Sequence, residues 1–174
     1  MRFRIELRKS PVSMLLLVTD DGGALCALDF ADHEARATQL MSGFFGDYET
    51  EKGPAPAAIT KALDAYFDGH LEALKTVRVS VRGTPFQKQV WNALRKIPPA
   101  QTRTYGQLAA SIGRPGASRA VGAANHCNPI GIVVPCHRVI GADGSLTGYA
   151  GGLERKQWLL DHERRFAPVA AGTV

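Results

Sequence analysis

The sequence predicts an α+β protein with strands and helices in its first half and mainly helices in its second. The start of the chain contains short apolar or alternating runs separated by turn residues, which are typical of strands. From residue 57 onward, apolar residues recur three and four positions apart, which is typical of amphipathic helices. The chain has 174 residues, of which 45% are hydrophobic and 21% are charged, enough for one compact domain or two small ones.

The first half, residues 1–82, is expected to form a domain that begins with strands. Three runs predict these strands: residues 2–7, 14–19 and 24–30. The turn signal Asp20-Asp21-Gly22-Gly23 separates the second run from the third, so these two should pair as a hairpin. Four segments follow: a helix over 33–45, a loop over 51–56, a helix over 57–67 that ends near Gly69, and a strand or extended connector over 76–82.

The second half, residues 83–174, opens with a clear helix start. Thr84 is a good N-cap and Pro85 a good first helical residue. Five apolar residues form the stripe of this helix, which Pro98-Pro99 ends: Phe86, Val90, Trp91, Leu94 and Ile97. A last helix is expected from about residue 152 to 165, and the tail over 164–174, which has no clear periodicity, is expected to be loose.

Charge is distributed unevenly along the chain. Residues 1–82 contain ten Lys/Arg and twelve Asp/Glu, a net of about −2, whereas residues 83–174 contain eleven and four, a net of about +7. No acidic residue occurs from Gly83 to Ala142. A phosphate backbone would favour such a stretch. A basic surface without a partner is the alternative.

Several classes of protein are disfavoured. No run approaches about 18 apolar residues, so no membrane span is expected, and the charged start does not resemble a signal peptide. We therefore expect a cytoplasmic protein. The three cysteines, Cys26, Cys127 and Cys136, do not suggest a disulfide framework, and their spacing relative to the histidines matches no common zinc pattern. We expect no metal site.

A helix-turn-helix is predicted over residues 105–124. Tyr105, Leu108, Ala109 and Ile112 have helical spacing, residues 113–116 break the helix, and a second series has the same spacing: Ala117, Ala120, Val121 and Ala124. A plain structural hairpin is the alternative. The second helix consists mostly of small residues, which favour close docking in a minor groove: Ala117, Ser118, Ala120, Gly122 and Ala123. Arg119, its one long side chain, could fill the gap left by a flipped nucleotide or simply touch phosphate.

Cys136 is the candidate nucleophile. It follows an apolar run over 130–134, expected to be a buried extended segment, and precedes His137 and Arg138. A neighbouring imidazole or cation can lower the pKa of a thiol, although sequence neighbours need not touch, and many buried cysteines are inert. Glu163 lies three and four residues after Leu160 and Leu159, so it shares their inward face and is a candidate to orient the histidine. An ordinary partly exposed glutamate is the alternative.

A glycine-rich loop over 147–152 is the candidate substrate pocket. Tyr149 offers an aromatic face for stacking, and the surrounding backbone is able to wrap a flat ligand such as a flipped base. A structural tyrosine beside a helix start is the alternative.

Taken together, these motifs give the sequence a family resemblance. Pro135-Cys136-His137-Arg138-Val139 resembles the O6-alkylguanine-DNA alkyltransferases, also called methylated-DNA–protein-cysteine methyltransferases. Further matching segments occur in the family's order over about residues 83–163: Gly83–Gln87 leading to Val90-Trp91, Thr104–Gly106, Ser118–Gly122, Asn128-Pro129 and Thr147–Leu153. Residues 1–82 resemble the family only loosely.

The resemblance implies a ribonuclease-H-like N-terminal domain and a C-terminal helix-turn-helix (winged-helix-like) domain that carries the site. It implies that Cys136 accepts the alkyl group, that His137 deprotonates it through a water, and that Glu163 orients His137. Asn128 would hold the turn before the active-site strand. Tyr105 would help to rotate the phosphate and donate to guanine N3, and Arg119 would replace the flipped base. The implied pocket consists of Pro135, Val139, Tyr149, Ala150, Gly151 and Gly152.

The implied activity is the irreversible repair of O6-alkylguanine, and also of O4-alkylthymine, in double-stranded DNA. Each protein molecule would be consumed by one lesion, without a cofactor. We expect a monomer in solution with protein–protein contacts along DNA, and a single-acceptor form without the fused phosphotriester-repair domain. Three alternatives remain: a non-enzymatic alkyltransferase-like lesion-binding protein, a helix-turn-helix regulator, and a cysteine hydrolase.

Overall fold

The computed structural model describes residues 1–168 and confirms the predicted α+β class. Its first part is a four-stranded sheet with the order β3-β2-β1-β4, formed by β1 (Arg2–Arg8), β2 (Leu15–Asp20), β3 (Leu25–Phe30) and β4 (Glu49–Lys52). Strand β2 is antiparallel to both β1 and β3, with Leu7 opposite Leu16 and Leu17 opposite Leu28. Strand β4 runs parallel to β1. The predicted strands and hairpin are therefore present.

Helices cover both faces of this sheet. Helix α1 (Glu34–Phe45) packs Ala37 and Met41 against one face, where Phe3 is fully buried. Helix α2 (Ala57–Phe67) packs on the other face, which continues into the core of the second part. Because both faces are covered, nearly every residue of β2 and β3 is buried, which is why their sequences read as continuous apolar runs.

The second part is mainly helical. It contains α3 (Pro85–Arg95), α4 (Tyr105–Ser111), α5 (Ser118–His126) and α6 (Leu153–Phe166), together with two short parallel strands, β5 (Arg103–Thr104) and β6 (Val139–Ile140). Thr84 and Thr104 cap α3 and α4 in reciprocal boxes with Gln87 and Gln107. Trp91 joins α3 to α5 by donating from Nε1 to the carbonyl oxygen of Ala124 at 2.9 Å. Helices α4 and α5 form the helix-turn-helix.

The fold departs from the expectations in several local places. Glu51 and Lys52 belong to β4 rather than to a loop, because an exposed edge strand needs no apolar pattern. Thr76 ends a 3-10 helix, Leu71–Thr76, and only the residues after it are extended. Ala120 is exposed instead of lying on the apolar stripe of α5, whose buried residues are Val121, Ala124 and Asn125.

The apolar run over 130–134 is buried as expected but is not extended. It forms a tight turn in which the Val134 amide donates to the Ile130 carbonyl oxygen at 3.0 Å and Ile132 has φ of 67°. At the end of the chain, Arg164 to Phe166 continue α6, and the predicted loose tail from residue 169 lies outside the described residues. No helix within residues 1–168 is long and apolar enough to cross a membrane.

Candidate active site

The turn over 130–134 presents Cys136 at the start of a short 3-10 helix, Cys136–Arg138. Asn128 holds this turn from both ends of its side chain: Nδ2 donates to the Val134 carbonyl oxygen at 2.8 Å, and Oδ1 accepts from the Ile130 amide at 3.0 Å. A left-handed conformation is costly for a β-branched residue such as Ile132. The two bonds of Asn128 offset that cost, so the structure places Asn128 where it fixes the approach to Cys136.

His137 lies fully buried beside the thiol-bearing residue and faces Glu163. Its Nε2 is 2.8 Å from Oε1 of Glu163, and both side chains have zero exposure. Since a carboxylate accepts and does not donate, Nε2 must carry the ring proton, which leaves Nδ1 as an acceptor in the neutral ring. Within residues 1–168, Nδ1 has no hydrogen-bond partner.

Glu163 is held by donors from three different segments. The Tyr66 hydroxyl donates to Oε1 at 2.8 Å, the Ala100 amide donates to Oε2 at 3.1 Å, and Arg138 donates from Nη2 to Oε1 at 2.7 Å and from Nε to Oε2 at 3.0 Å. Arg138 also donates from Nη1 to the Ile97 carbonyl oxygen at 2.7 Å. The guanidinium of Arg138 therefore binds the carboxylate of Glu163 and not the thiol of Cys136.

These contacts set the protonation states of Glu163 and His137. Burial opposes the negative charge of Glu163, but the contacts with His137 and Arg138 hold the pKa of this carboxyl well below its usual range. Burial lowers the pKa of His137 despite the adjacent carboxylate, because Arg138 already balances that charge. Near neutral pH the group is thus an anionic Glu163, a cationic Arg138 and a neutral His137.

The thiol of Cys136 is protonated in the resting state. Burial raises its pKa, against smaller opposing effects of Asn128, Arg36 and Lys156. A thiol with a raised pKa needs a base to remove its proton before it can act as a nucleophile. Nδ1 of His137 is the free acceptor on the neighbouring residue.

A cavity of about 20 Å³ adjoins Cys136, and it brings together only part of the predicted pocket. Tyr149, Ala150 and Gly151 line it together with the thiol. Pro135 instead lines a separate cavity next to Arg138. Val139 is fully buried and accepts a hydrogen bond from Lys156 through its carbonyl oxygen, and Gly152, with φ of 96°, is the N-cap of α6.

Tyr105 links the helix-turn-helix to the pocket loop. Its hydroxyl donates to the Thr147 carbonyl oxygen at 3.2 Å, and its ring lies beside Gly122 of α5. Lys156 donates to the same carbonyl at 2.8 Å and to that of Val139 at 2.6 Å. Burial lowers the pKa of this lysine to about 8. The loop is therefore fixed from both α4 and α6.

The predicted DNA-facing residues lie on or next to the outer side of α5. Arg119, Ala120 and Ala123 are exposed, while Ala117, Ser118 and Gly122 are half-buried. Within residues 1–168, Arg119 makes no ion pair. A surface of small side chains with one free cation is thus available to a polyanion.

Sequence reasoning missed three polar residues of the site. Tyr66 and Lys156 carry a detectable signal, because each has the helical spacing of buried apolar neighbours: Ile59, Ala62 and Leu63 precede Tyr66, while Leu159 and Leu160 follow Lys156. Arg36 carries no such signal. It pairs with Asp29 at 2.7 Å and donates to the carbonyl oxygens of His126 and Asn128, which joins α1 to the end of α5.

The fold and the site define a DNA-binding protein in which a half-buried cysteine lies next to a buried His–Glu pair. Comparison with known proteins makes the class specific. Residues 4–81 match the ribonuclease-like domain, and residues 85–165 the DNA binding domain, of 6-O-methylguanine DNA methyltransferase.

Whole-chain relatives agree with these matches. The chain is 48% identical over 165 residues to a methylated-DNA–protein-cysteine methyltransferase of Salmonella typhimurium, covering 94% of this chain and 96% of that protein. It is 42% identical, with a TM-score of 0.78, to the Mycobacterium tuberculosis OGT solved in complex with DNA, covering 97% and 96% of the two chains. The corresponding Pyrococcus kodakaraensis structure gives 27% identity and a TM-score of 0.71 over 92% and 98%. The chain therefore belongs to the methylated-DNA–protein-cysteine methyltransferase family, and the predicted class of enzyme is confirmed.

Proposed function

We propose that this chain repairs alkylated DNA by moving the alkyl group from O6 of guanine in duplex DNA to Sγ of Cys136. One observation carries this proposal: a neutral His137 has its Nε2 bound to an anionic Glu163 and its Nδ1 without a partner among residues 1–168, one residue from the half-buried thiol of Cys136. A neutral histidine with an unpaired ring nitrogen can act as a general base, because that nitrogen can accept a proton. The names of the relatives and the DNA complex of one of them support DNA as the partner.

The reaction is a displacement at the alkyl carbon. Nδ1 of His137 takes the thiol proton through a water, Sγ attacks the carbon, and the carbon–O6 bond breaks with its electron pair left on guanine. Guanine recovers one proton as it leaves, so the net change exchanges the thiol hydrogen for the alkyl group. In this proposal the Tyr105 hydroxyl, which donates to the Thr147 carbonyl oxygen in the free protein, donates to guanine N3 while that charge develops. The product is a thioether, so each molecule reacts once.

Access to the thiol requires the base to leave the duplex. We propose that α5 docks in the minor groove through Ala117, Ser118, Ala120, Gly122 and Ala123. Arg119 then fills the space of the flipped nucleotide, and the base enters the pocket at Tyr149, Ala150 and Gly151. O4-alkylthymine presents an equivalent oxygen-bound alkyl group and is the proposed second substrate.

The test of the transfer is the intact mass of the protein after incubation with a duplex that carries one O6-methylguanine. We expect one methyl group to replace one hydrogen on the peptide that contains Cys136. Cys136→Ser should show no gain, and Cys127→Ser, which removes a half-buried thiol elsewhere, should behave as the wild type. An unchanged wild-type mass with tight lesion binding would instead indicate a non-enzymatic lesion-binding protein.

The role of Arg119 is tested separately. Arg119→Ala should slow transfer from the duplex by about tenfold or more, because unpairing a base costs a few kcal/mol. Transfer from free O6-methylguanine base should be unchanged. Arg114→Ala, at an exposed arginine that lies over Phe86, is the matched control. Equal losses on the duplex and on the free base would contradict the role of Arg119 in flipping.

A further inference from the structure

The cavity beside Cys136 is closed by the N-terminal part of the chain. Its far wall consists of residues 28–30 at the end of β3, opposite Tyr149, Ala150 and Gly151. The acceptor site is therefore an interface between the two halves, although all of the predicted site residues belong to the second half. The cavity holds only about 20 Å³, far below the roughly 150 Å³ that holds a benzene ring, so its walls must shift to admit a flipped base, and the space left for the alkyl group depends on which wall residues yield.

Phe30 is the bulky member of this wall. It is 3% exposed, its ring centroid lies 6.5 Å from that of Tyr149, and its ring edge closes on the backbone at Gly151, where a Cβ atom would collide with it. A bulky group placed between Cys136 and this loop would meet the Phe30 ring.

Arg155 restrains that displacement. Its guanidinium carbon lies 4.3 Å from the centroid of the Phe30 ring, and Nη2 donates to Asp32 at 2.9 Å and to Ser13 at 3.1 Å. Nη1 donates to the Gly151 carbonyl oxygen at 3.3 Å. One side chain at the start of α6 thus binds the pocket loop, the Phe30 ring and two N-terminal side chains together.

We propose that Phe30 is the residue that restricts the transferred alkyl group to methyl-like size, and that Arg155 is the positioning residue that holds it in place. This inference rests on the proposed function. The bond changes are the same for every alkyl group, since Sγ bonds to the carbon next to O6 and the carbon–O6 bond breaks. Only the space for the remainder of the group differs.

The test measures the rates of transfer to Cys136 from two duplexes of the same sequence, one with O6-methylguanine and one with O6-benzylguanine. Phe30→Leu should raise the benzyl-to-methyl rate ratio by about tenfold or more, since filling or freeing a pocket by a few carbons changes rates on this scale. Phe30→Ala should raise it further. Arg155→Ala should raise it less, because the ring is loosened but retained.

Matched controls separate this effect from general loosening. Phe3→Leu alters an equally buried ring on the opposite face of the sheet, and Arg165→Ala removes an exposed arginine that lies over Phe166. Both should leave the ratio unchanged.

Each other outcome has a distinct meaning. A ratio that Phe30→Leu does not move, or that Phe3→Leu moves equally, overturns the inference. So does a Phe30→Leu variant that loses methyl transfer while the wild type retains it. A wild type that transfers no methyl group contradicts the proposed function itself.

Discussion

The two sides of the Cys136–His137 pair are built in opposite ways. On the side of Glu163, both carboxylate oxygens are hydrogen-bonded, the donors come from three segments, and the side chains of Tyr66, Arg138 and Glu163 are buried. On the side of Tyr149, a small cavity remains, and the Phe30 and Tyr149 rings face each other beside Gly151, although the polar side chains of Asp29, Arg36 and Asn128 also line it.

This difference separates two tasks. A hydrogen-bonded carboxylate network in a low-dielectric interior is rigid, so it fixes the tautomer and orientation of His137 for any substrate. The Phe30 and Tyr149 rings can adapt by small shifts, so this side determines which alkyl group fits. Changes on the Glu163 side should therefore alter stability and the rate for every alkyl group, whereas changes on the Tyr149 side should alter selectivity.

The largest effect is expected where the polar side is broken outright. Glu163→Ala leaves Arg138 buried without its counter-charge, which typically costs about 3–5 kcal/mol. The free energy of unfolding in urea should fall by that amount. Asp161→Ala on the same helix removes an exposed pair with Arg164 and an exposed hydrogen bond from Gln157, and it should cost less than about 1 kcal/mol. Similar losses in the two variants would contradict the buried network.

A smaller loss of unfolding free energy is expected when a single hydrogen-bond donor to Glu163 is removed. Tyr66→Phe deletes the bond from the N-terminal part to Oε1 of Glu163, and a hydrogen bond to a charged group is worth about 1.5–3 kcal/mol. Unfolding free energy should fall within that range, and methyl and benzyl transfer should slow by the same factor. Tyr48→Phe is the control, because its hydroxyl makes no hydrogen bond within residues 1–168. A change in the benzyl-to-methyl ratio would refute the separation of tasks.

On the side of Tyr149, the addition of a single methyl group should lower the stability of the protein. Gly151→Ala forces a Cβ atom against the rings of Phe30 and Tyr149, an overpacking that costs about 1–3 kcal/mol. Gly43→Ala, at an exposed position of α1 with no atom nearby, should instead stabilise the protein by about 0.5–1 kcal/mol. Thermal unfolding of the two variants should shift in opposite directions, and a stabilised Gly151→Ala would show that the wall yields freely.

Much of the fold and part of the site follow from local sequence. Thr84 and Pro85 mark the start of α3, and the spacing of Glu163 from Leu159 and Leu160 places it on the buried face of α6. These inferences succeed because caps and helical faces are decided by residues only a few positions apart.

What the sequence does not reveal depends on distant partners. Tyr66 and Glu163 are 97 residues apart, and no local sequence pattern around either residue predicts that the two are in contact. The run over 130–134 is rich in β-branched residues and predicts an extended segment, yet Asn128 bends it into a turn through two side-chain bonds. Phe30 is predicted only as the end of a strand, and its place in the pocket arises from the packing of the two halves.

The central claim is that a neutral His137, and not prior ionisation of the thiol, activates Cys136. The direct test is the first-order rate of methyl transfer at saturating duplex between pH 6.5 and 8. The pKa of His137 is lowered from 6.5 and that of Cys136 is raised from 9.0, so in this window the base is neutral and the thiol is protonated. We predict a plateau across the window and a decline only below it. A rate that rises about tenfold for each pH unit would mean that bulk hydroxide ionises the thiol. That result would contradict removal of the thiol proton by His137.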